Sequence, residues 1–210
     1  MLPMMLLAVV LAMTPDFQRA LERVPADSLL AALRRYEFQH RRSTQAAEAA
    51  MLLGDLHVVR GEYRLAVDAF SRAAAGFDPS RKGEALYRAG IAWLGVPDGR
   101  RARALLAEVE SGSGPRRADA ALGIAFAWTL ENQPDRALKH LTWLVANRPG
   151  EAGAAALGQI AVLADRLDQP KVARHARERL RKDYPRSFET QGVGPEGEPR
   201  QTQAAPRSHP

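Results

Sequence analysis

The 210-residue chain contains no cysteine. That excludes disulfides, thiolate metal sites, thiol catalysis and a lipid-bearing N-terminal cysteine. Aromatic residues are scarce, at 6 %, and the β-branched or aromatic runs that mark strands are missing. No apolar run is long enough to cross a bilayer. The longest clear one, "MLPMMLLAVVLAM", covers Met1 to Met13, against the roughly 20 residues that a core of about 30 Å demands. Catalytic patterns are missing too: there is no HExxH, phosphate loop or serine nucleophile elbow. The histidines His40, His57, His140, His175 and His209 lack zinc-type spacing. His57 reads as a structural histidine, and Glu108 and Glu110 as solvated helix surface. The expectation is therefore no enzyme, no cofactor and no metal.

What is present is alanine and leucine, which favour helices packed closely through small side chains. The expected fold class is all-α. Lys and Arg number 30 against 24 Asp and Glu, a net +6. This balance favours acidic partners, or else arginine simply solvates the outer helix faces. The Met1–Met13 run matches the apolar region of a secretory signal peptide, with Val10 and Ala12 as small residues before a cleavage point. The absence of Lys or Arg before it and the early Pro3 argue for the alternative, an uncleaved segment that packs on a helix.

The internal order of the chain is a repeat. Gly54 is followed twelve residues later by Ala66, Gly90 by Ala102, Ala125 by Ala137 and Ala161 by Ala173. The steps are 90−54=36, 125−90=35 and 161−125=36. Four residues after each alanine stand Phe70, Leu106, Leu141 and Arg177; seven after stand Ala73, Val109, Leu144 and Leu180. Prolines recur near Pro79, Pro115, Pro149 and Pro185, so each copy reads as helix, turn, helix and a proline-marked turn. Pro134 and Pro170 suit the first turn of a second helix, where a missing N–H costs nothing. The small residues let paired helices approach, and Trp93 and Trp128 fill the space beside the contact. Arg177 breaks the apolar series, as a terminal unit with a polar outer face requires. A basic docking site formed with Arg174, Arg179, Arg181 and Lys182 is the alternative.

This pattern resembles the tetratricopeptide repeat (TPR) family from about Ala47 to Ser187. Gly54, Tyr63, Ala66, Phe70 and Ala73 carry the likeness in the first copy, with Trp93 and Trp128 in the next two. The family's large residue at the fourth position is replaced by Ala50 and Ala121 in two copies. The resemblance implies a right-handed α-solenoid of about four helix pairs with an N-terminal helical cap. The expected organisation is a signal peptide over 1–13 and N-terminal helices over 14–42. An array over 43–188 follows, with units near 47–79, 83–115, 118–149 and 154–187. The tail, 189–210, is rich in Gly, Pro and Gln and is expected to be disordered.

The resemblance also implies that the first helices line a concave face, placing Met51, Asp55, Tyr87, Ile91, Leu122, Phe126 and Val162 in a peptide-binding groove, apolar with an acidic rim. Some of these residues could instead complete the core, or bury the N-terminal helices or the tail in cis. The implied function is a protein-interaction scaffold for a peptide or helix of a partner. The close, Tyr184-Pro185-x-Ser187, is similar to the last repeat of cell-envelope members, such as the Tol–Pal-associated division coordinator and outer-membrane assembly lipoproteins. Together with the apolar N-terminus it implies a periplasmic or exported protein and an envelope assembly component as partner. The alternative is a cytosolic helical module whose basic clusters, Arg34, Arg35, Arg41 and Arg42 or Arg100, Arg101 and Arg103, meet an acidic partner or nucleic acid. Aromatics interleaved for base stacking are missing, which argues against nucleic acid.

Overall fold

A computed structural model describes residues 28–41, 43–96, 98–148 and 153–191. The expected signal peptide, the helix anticipated around Phe17 to Val24 and the tail beyond 191 lie outside the described residues. Among those described, all regular structure is helical. The chain divides into two compact units, one ending at Glu131 and the other beginning at Asn132.

The first unit holds α1 (Leu29–Gln39), α2 (Thr44–Val59), α3 (Tyr63–Gly76), α4 (Pro79–Gly95), α5 (Gly99–Ser111) and α6 (Arg117–Leu130). Each helix packs on the next in sequence, and α4 also meets α6. Caps set the starts. Ser43 Oγ accepts from the Ala46 N–H at 3.2 Å, and the Asp98 carboxylate accepts from the Arg101 N–H at 3.1 Å. Asp78 accepts from the N–H groups of Ser80 and Arg81, with Pro79 as the first helical residue. Pro79 thus opens the second unit of the repeat rather than closing the first, so that unit starts four residues earlier than the 83 boundary read from sequence.

The turn between paired helices is a recurring device. Gly61, Asn132 and Asp168 adopt φ of 74°, 56° and 54°, and each lies five residues before the repeat alanine (66−61, 137−132, 173−168). The Glu62 N–H donates to His57 O at 2.8 Å, as the Gln169 N–H does to Ala164 O. These bonds close left-handed caps that favour Gly, Asn and Asp. The second copy carries Pro97 at that position in the sequence, a residue to which a positive φ is closed. His57 itself is buried, its Nδ1 2.6 Å from Glu62 Oε2 across this turn, as a structural histidine would be.

The repeat alanines Ala66 and Ala102 are fully buried, with Phe70, Ala73, Leu106 and Val109 around them. A Cβ on Gly90 would lie 2.7 Å from Leu106 Cδ2 and 3.6 Å from Ala102 O, and one on Gly54 would overlap the Phe70 ring. The small residue therefore makes room chiefly for the side chain four positions beyond the alanine. Trp93 and Trp128 pack half-buried against the same core. The Arg103 guanidinium lies 3.5 Å over Trp128 and pairs with Glu131 at 2.6 Å.

The second unit holds α7 (Pro134–Asn147), α8 (Gly153–Arg166), α9 (Pro170–Asp183) and the short α10 (Phe188–Gln191). Pro134 and Pro170 begin their helices as the sequence suggests. Leu141, Leu144, Ala156, Leu157, Ala173 and Leu180 are buried. Arg177 does not face open solvent; its guanidinium folds onto Asp165 of the same helix pair, with the side chain 11 % exposed. The Tyr-Pro-x-Ser stretch has a structural role. The Tyr184 hydroxyl occupies the space a Cβ on Gly153 would need, and Ser187 Oγ accepts from the Thr190 N–H at 3.3 Å. Residues 189–191 thus belong to a helix rather than to the tail.

Candidate functional site

The first helices of the repeats, α2, α4 and α6, lie side by side in the first unit, and ion pairs set their register. Arg81 Nη1 donates to Glu48 Oε1 at 2.9 Å, and Arg88 Nη1 to both Asp55 oxygens at 2.7 Å. Both pairs join residues 33 apart, so α2 and α4 run parallel. Arg116, just before α6, donates from Nε to Glu84 Oε2 at 2.6 Å, 32 residues away. The same offset relates Ile91 to Gly123, where a Cβ would lie 3.4 Å from Ile91 Cδ1. Within the chain of contacts, Arg88 Nε donates to Glu84 Oε1 at 2.8 Å, and Arg116 Nη1 to Asp119 Oδ2 at 2.9 Å.

The result is a ladder, Asp55–Arg88–Glu84–Arg116–Asp119, that ties three first helices together. Its three carboxylates meet two guanidiniums, leaving −1 (−3+2). The acidic rim inferred from sequence is thus neutralised for the most part by arginines from neighbouring helices. Burial dominates at Asp55 and lifts its carboxyl above the ordinary 3.8 despite Arg88. Burial also works against the charge of Glu84, but hydrogen bonds from Arg116 and Arg88 prevail and hold it below the usual range. The Arg116 guanidinium is held more firmly protonated by its hydrogen bonds to Glu84 and Asp119.

The groove residues expected from sequence divide into three kinds. Met51 is 8 % exposed and belongs to the core, and Asp55 is a rung of the ladder. Tyr87 packs half-buried against the core with Arg116 5.1 Å from its ring centroid, and Leu122 is half-buried. Ile91 and Phe126 are open, at 39 % and 49 % exposure, with Val58, Val59 and Leu130 also exposed at the helix ends. Val162 is exposed on α8 of the second unit. Sequence reading missed Arg81, Arg88 and Arg116 as partners. The signal was available: opposite charges recur 32 or 33 residues apart on helices of known phase.

Val58, Ile91, Phe126 and Leu130, all in the first unit, form one row. Asp55 meets Arg88, and one turn further along each parallel helix stand Val58 and Ile91. Ile91 in turn reaches α6 beside Gly123, a turn before Phe126, and Leu130 follows four residues later. Charge lies along one side of this row, within the ladder, and the row itself is apolar. Such an edge can bury apolar side chains of a peptide or helix. Among the described residues, no group of three His, Asp or Glu side chains could hold a metal, and no helix is long and apolar enough to cross a membrane.

The chain matches no protein-family model and none of the curated proteins. Solved structures do resemble it. YrrB, described as a TPR protein with an unusual peptide-binding site, is 19 % identical, with 79 % of this chain and 82 % of that chain covered at a TM-score of 0.55. MamA from Desulfovibrio magneticus RS-1 is 20 % identical, with 80 % and 93 % covered and a TM-score of 0.60. A kinesin light chain-like protein of Podosopora anserina, with nearly identical TPR-like repeats, is 14 % identical, with 87 % and 98 % covered and a TM-score of 0.60. At these identities the likeness speaks for architecture alone: the chain has the all-α, helix-pair fold of tetratricopeptide-repeat proteins.

Proposed function

We propose that the protein is a non-enzymatic scaffold that holds a peptide or helix of a partner protein on the first-helix face of its N-terminal unit. The observation that carries this reading is the row Val58, Ile91, Phe126 and Leu130. These large apolar side chains stay in solvent on parallel helices whose register is locked by ion pairs. A rigid apolar edge offers binding area without the ordering cost of a flexible one. The peptide-binding site described for YrrB, a protein of the same fold, supports the choice of a peptide as ligand. Basic-surface binding has less to draw on. Arg103 is committed to Glu131 and Trp128, Arg101 pairs with Asp98 at 3.4 Å, and Arg41 lies 3.6 Å over Phe38.

The place of action in this proposal is the bacterial cell envelope, with an assembly component as partner. Support comes from the secretory character of Met1–Met13 and from the resemblance of the closing Tyr-Pro-x-Ser stretch to envelope proteins. Intact mass and cell fraction of the native protein test it. Loss of about a dozen N-terminal residues with recovery outside the cytoplasm supports export, and a full-length chain in the cytosol overturns it.

The binding face has its own test. Ile91→Asp with Phe126→Asp is expected to leave the thermal midpoint within about 2–4 °C of the parent, because surface changes stay near 0.5 kcal/mol each. The same pair is expected to abolish co-purification of the native partner with the tagged protein. Unchanged co-purification would sink the proposed face. Tyr87→Ala is the poorer probe, since Tyr87 also supports the core.

A further inference from the structure

The edge of a repeat that receives the next first helix includes the positions one and eight residues after the repeat alanine. In the first copy these hold Val67 and Ala74, and in the third Leu138 and Val145. All four are buried, with α4 packed on α3 and α8 on α7. The second copy holds Arg103 and Glu110 instead, and it shows how a cation is used there. Arg103, its side chain 16 % exposed, pairs with Glu131 just past the end of α6 and lies over Trp128, three residues earlier. The incoming helix thus offers an aromatic face and a carboxylate, and the arginine takes both. At the other end Arg117, which opens α6, donates from Nε to Glu110 O at 3.2 Å. The covering helix α6 therefore runs antiparallel to α5.

The fourth copy has Arg174 and Arg181 at these positions. Arg174 follows Ala173 as Arg103 follows Ala102, yet it is exposed and pairs with no carboxylate among the described residues. The short α10 begins a covering helix without reaching it. It starts fifteen residues after Ala173, as α6 starts fifteen after Ala102 (188−173, 117−102), and packs on α8 and α9. Its hold is on the C-terminal end of α9, where Thr190 Oγ1 donates to Tyr184 O at 2.6 Å. Gly192, Gly194 and Pro195 come next in the sequence, the residue types that favour a helix least. The start of α9 thus keeps an open edge, on a helix with six Lys or Arg against two Asp or Glu, a net +4 (6−2). One turn from Arg174, Arg177 is neutralised by Asp165 and does not compete for an incoming carboxylate.

We infer that this open edge of α9 receives an acidic helix of a partner protein, which presents to Arg174 an aromatic residue and, three residues on, a glutamate. The partner helix takes on α9 the place that the end of α6 takes on α5. Its ring lies against the guanidinium, and its carboxylate pairs with the same group. Glu178 and Asp183 stand among the cations of α9, and α9 has no Phe, Tyr or Trp on which bases could stack, so the edge suits a nucleic acid poorly. The edge belongs to the second unit and shares no residue with the apolar row, so each surface can be tested without the other.

The test uses the full chain and a labelled, net-negative helical peptide that carries Trp and Glu at the spacing of Trp128 and Glu131. A second peptide has Lys in place of that Glu. Fluorescence anisotropy at physiological salt gives both affinities. Arg174→Glu is expected to weaken the first peptide at least about tenfold and to bind the second instead. That exchange also shows that the variant is folded. Arg100→Glu makes the same charge change at an exposed site of α5 and is expected to alter either affinity less than about twofold. Ile91→Asp with Phe126→Asp should leave both unchanged, which separates this edge from the row. Equal weakening by the two arginine changes would mean attraction by net charge alone and overturn the inference. So would a full chain that does not bind the first peptide, or weakening without recovery by the second. Loss of duplex DNA or phosphatidylserine vesicles on Arg174→Glu, as steep as the loss of peptide, would reveal a bare cationic patch and overturn it too.

Discussion

Gly54→Ala is expected to destabilise the first unit by about 1–3 kcal/mol, although alanine is the better helix former by about 1 kcal/mol. The added methyl would overlap the ring of Phe70, which is 1 % exposed and has no room to retreat. Phe70→Leu alone is expected to cost about 1 kcal/mol by opening a small cavity over Gly54. The double variant should cost less than the sum by about 1–2 kcal/mol, because the smaller side chain accepts the methyl. Thermal melts of the four proteins give the cycle. Amide hydrogen exchange should place the loss in α2 and α3, since stability in repeat arrays is local. A Gly54→Ala protein as stable as the parent would mean that this helix pair has slack the packing does not show.

How much of this is legible in the sequence depends on the distance over which each residue acts. The helix pairs are readable because Gly54, Ala66, Phe70 and Ala73 act within one repeat, at a spacing fixed by helix geometry. The helix starts at Pro134 and Pro170 are readable for the same reason. Pro79 misleads because a proline after a helix and a proline opening the next look alike when the linker is two residues long. Asp78 as a capping residue decides it, and only its bonds to Ser80 and Arg81 reveal that role. The groove residues follow from the positions that line the groove in the family the repeats resemble, and position along a helix cannot tell a lining residue from one that the next helix covers. Met51 is therefore in the core, while Asp55, a rim charge by phase, is capped by Arg88. Arg177 looks like an outer face for lack of a visible partner, and Asp165 lies twelve residues away on the adjoining helix.

Removing the centre of the ladder, by Arg88→Met, is expected to cost about 2 kcal/mol at neutral pH. The change keeps much of the apolar stem but leaves Asp55 without its guanidinium and Glu84 with one of two. The side chains of Arg88, Asp55 and Glu84 are about one-quarter exposed, 26 %, 27 % and 29 %, so water offsets part of the loss but not all. The pH dependence identifies the cause. Asp55 already sits above its ordinary value through burial, with Arg88 pulling it back down. Without Arg88, burial and the Glu84 charge act unopposed, and Asp55 binds a proton at still higher pH in the folded chain than in the unfolded one. A group raised in this way gains stability as pH falls towards its unfolded value. The deficit of Arg88→Met is therefore largest near neutral pH and shrinks as the pH falls towards the ordinary 3.8 of Asp55. Glu84 has the opposite sign: held low by Arg116 and Arg88, it contributes stability above its unfolded 4.5 that is lost as the pH falls through its folded value. The double variant Arg88→Met with Asp55→Asn removes the proton site and should lose the pH-dependent recovery. Denaturant melts across that range measure both effects. A deficit that stays constant with pH would show that Arg88 acts through packing alone, and the ladder would then be geometry without electrostatic consequence.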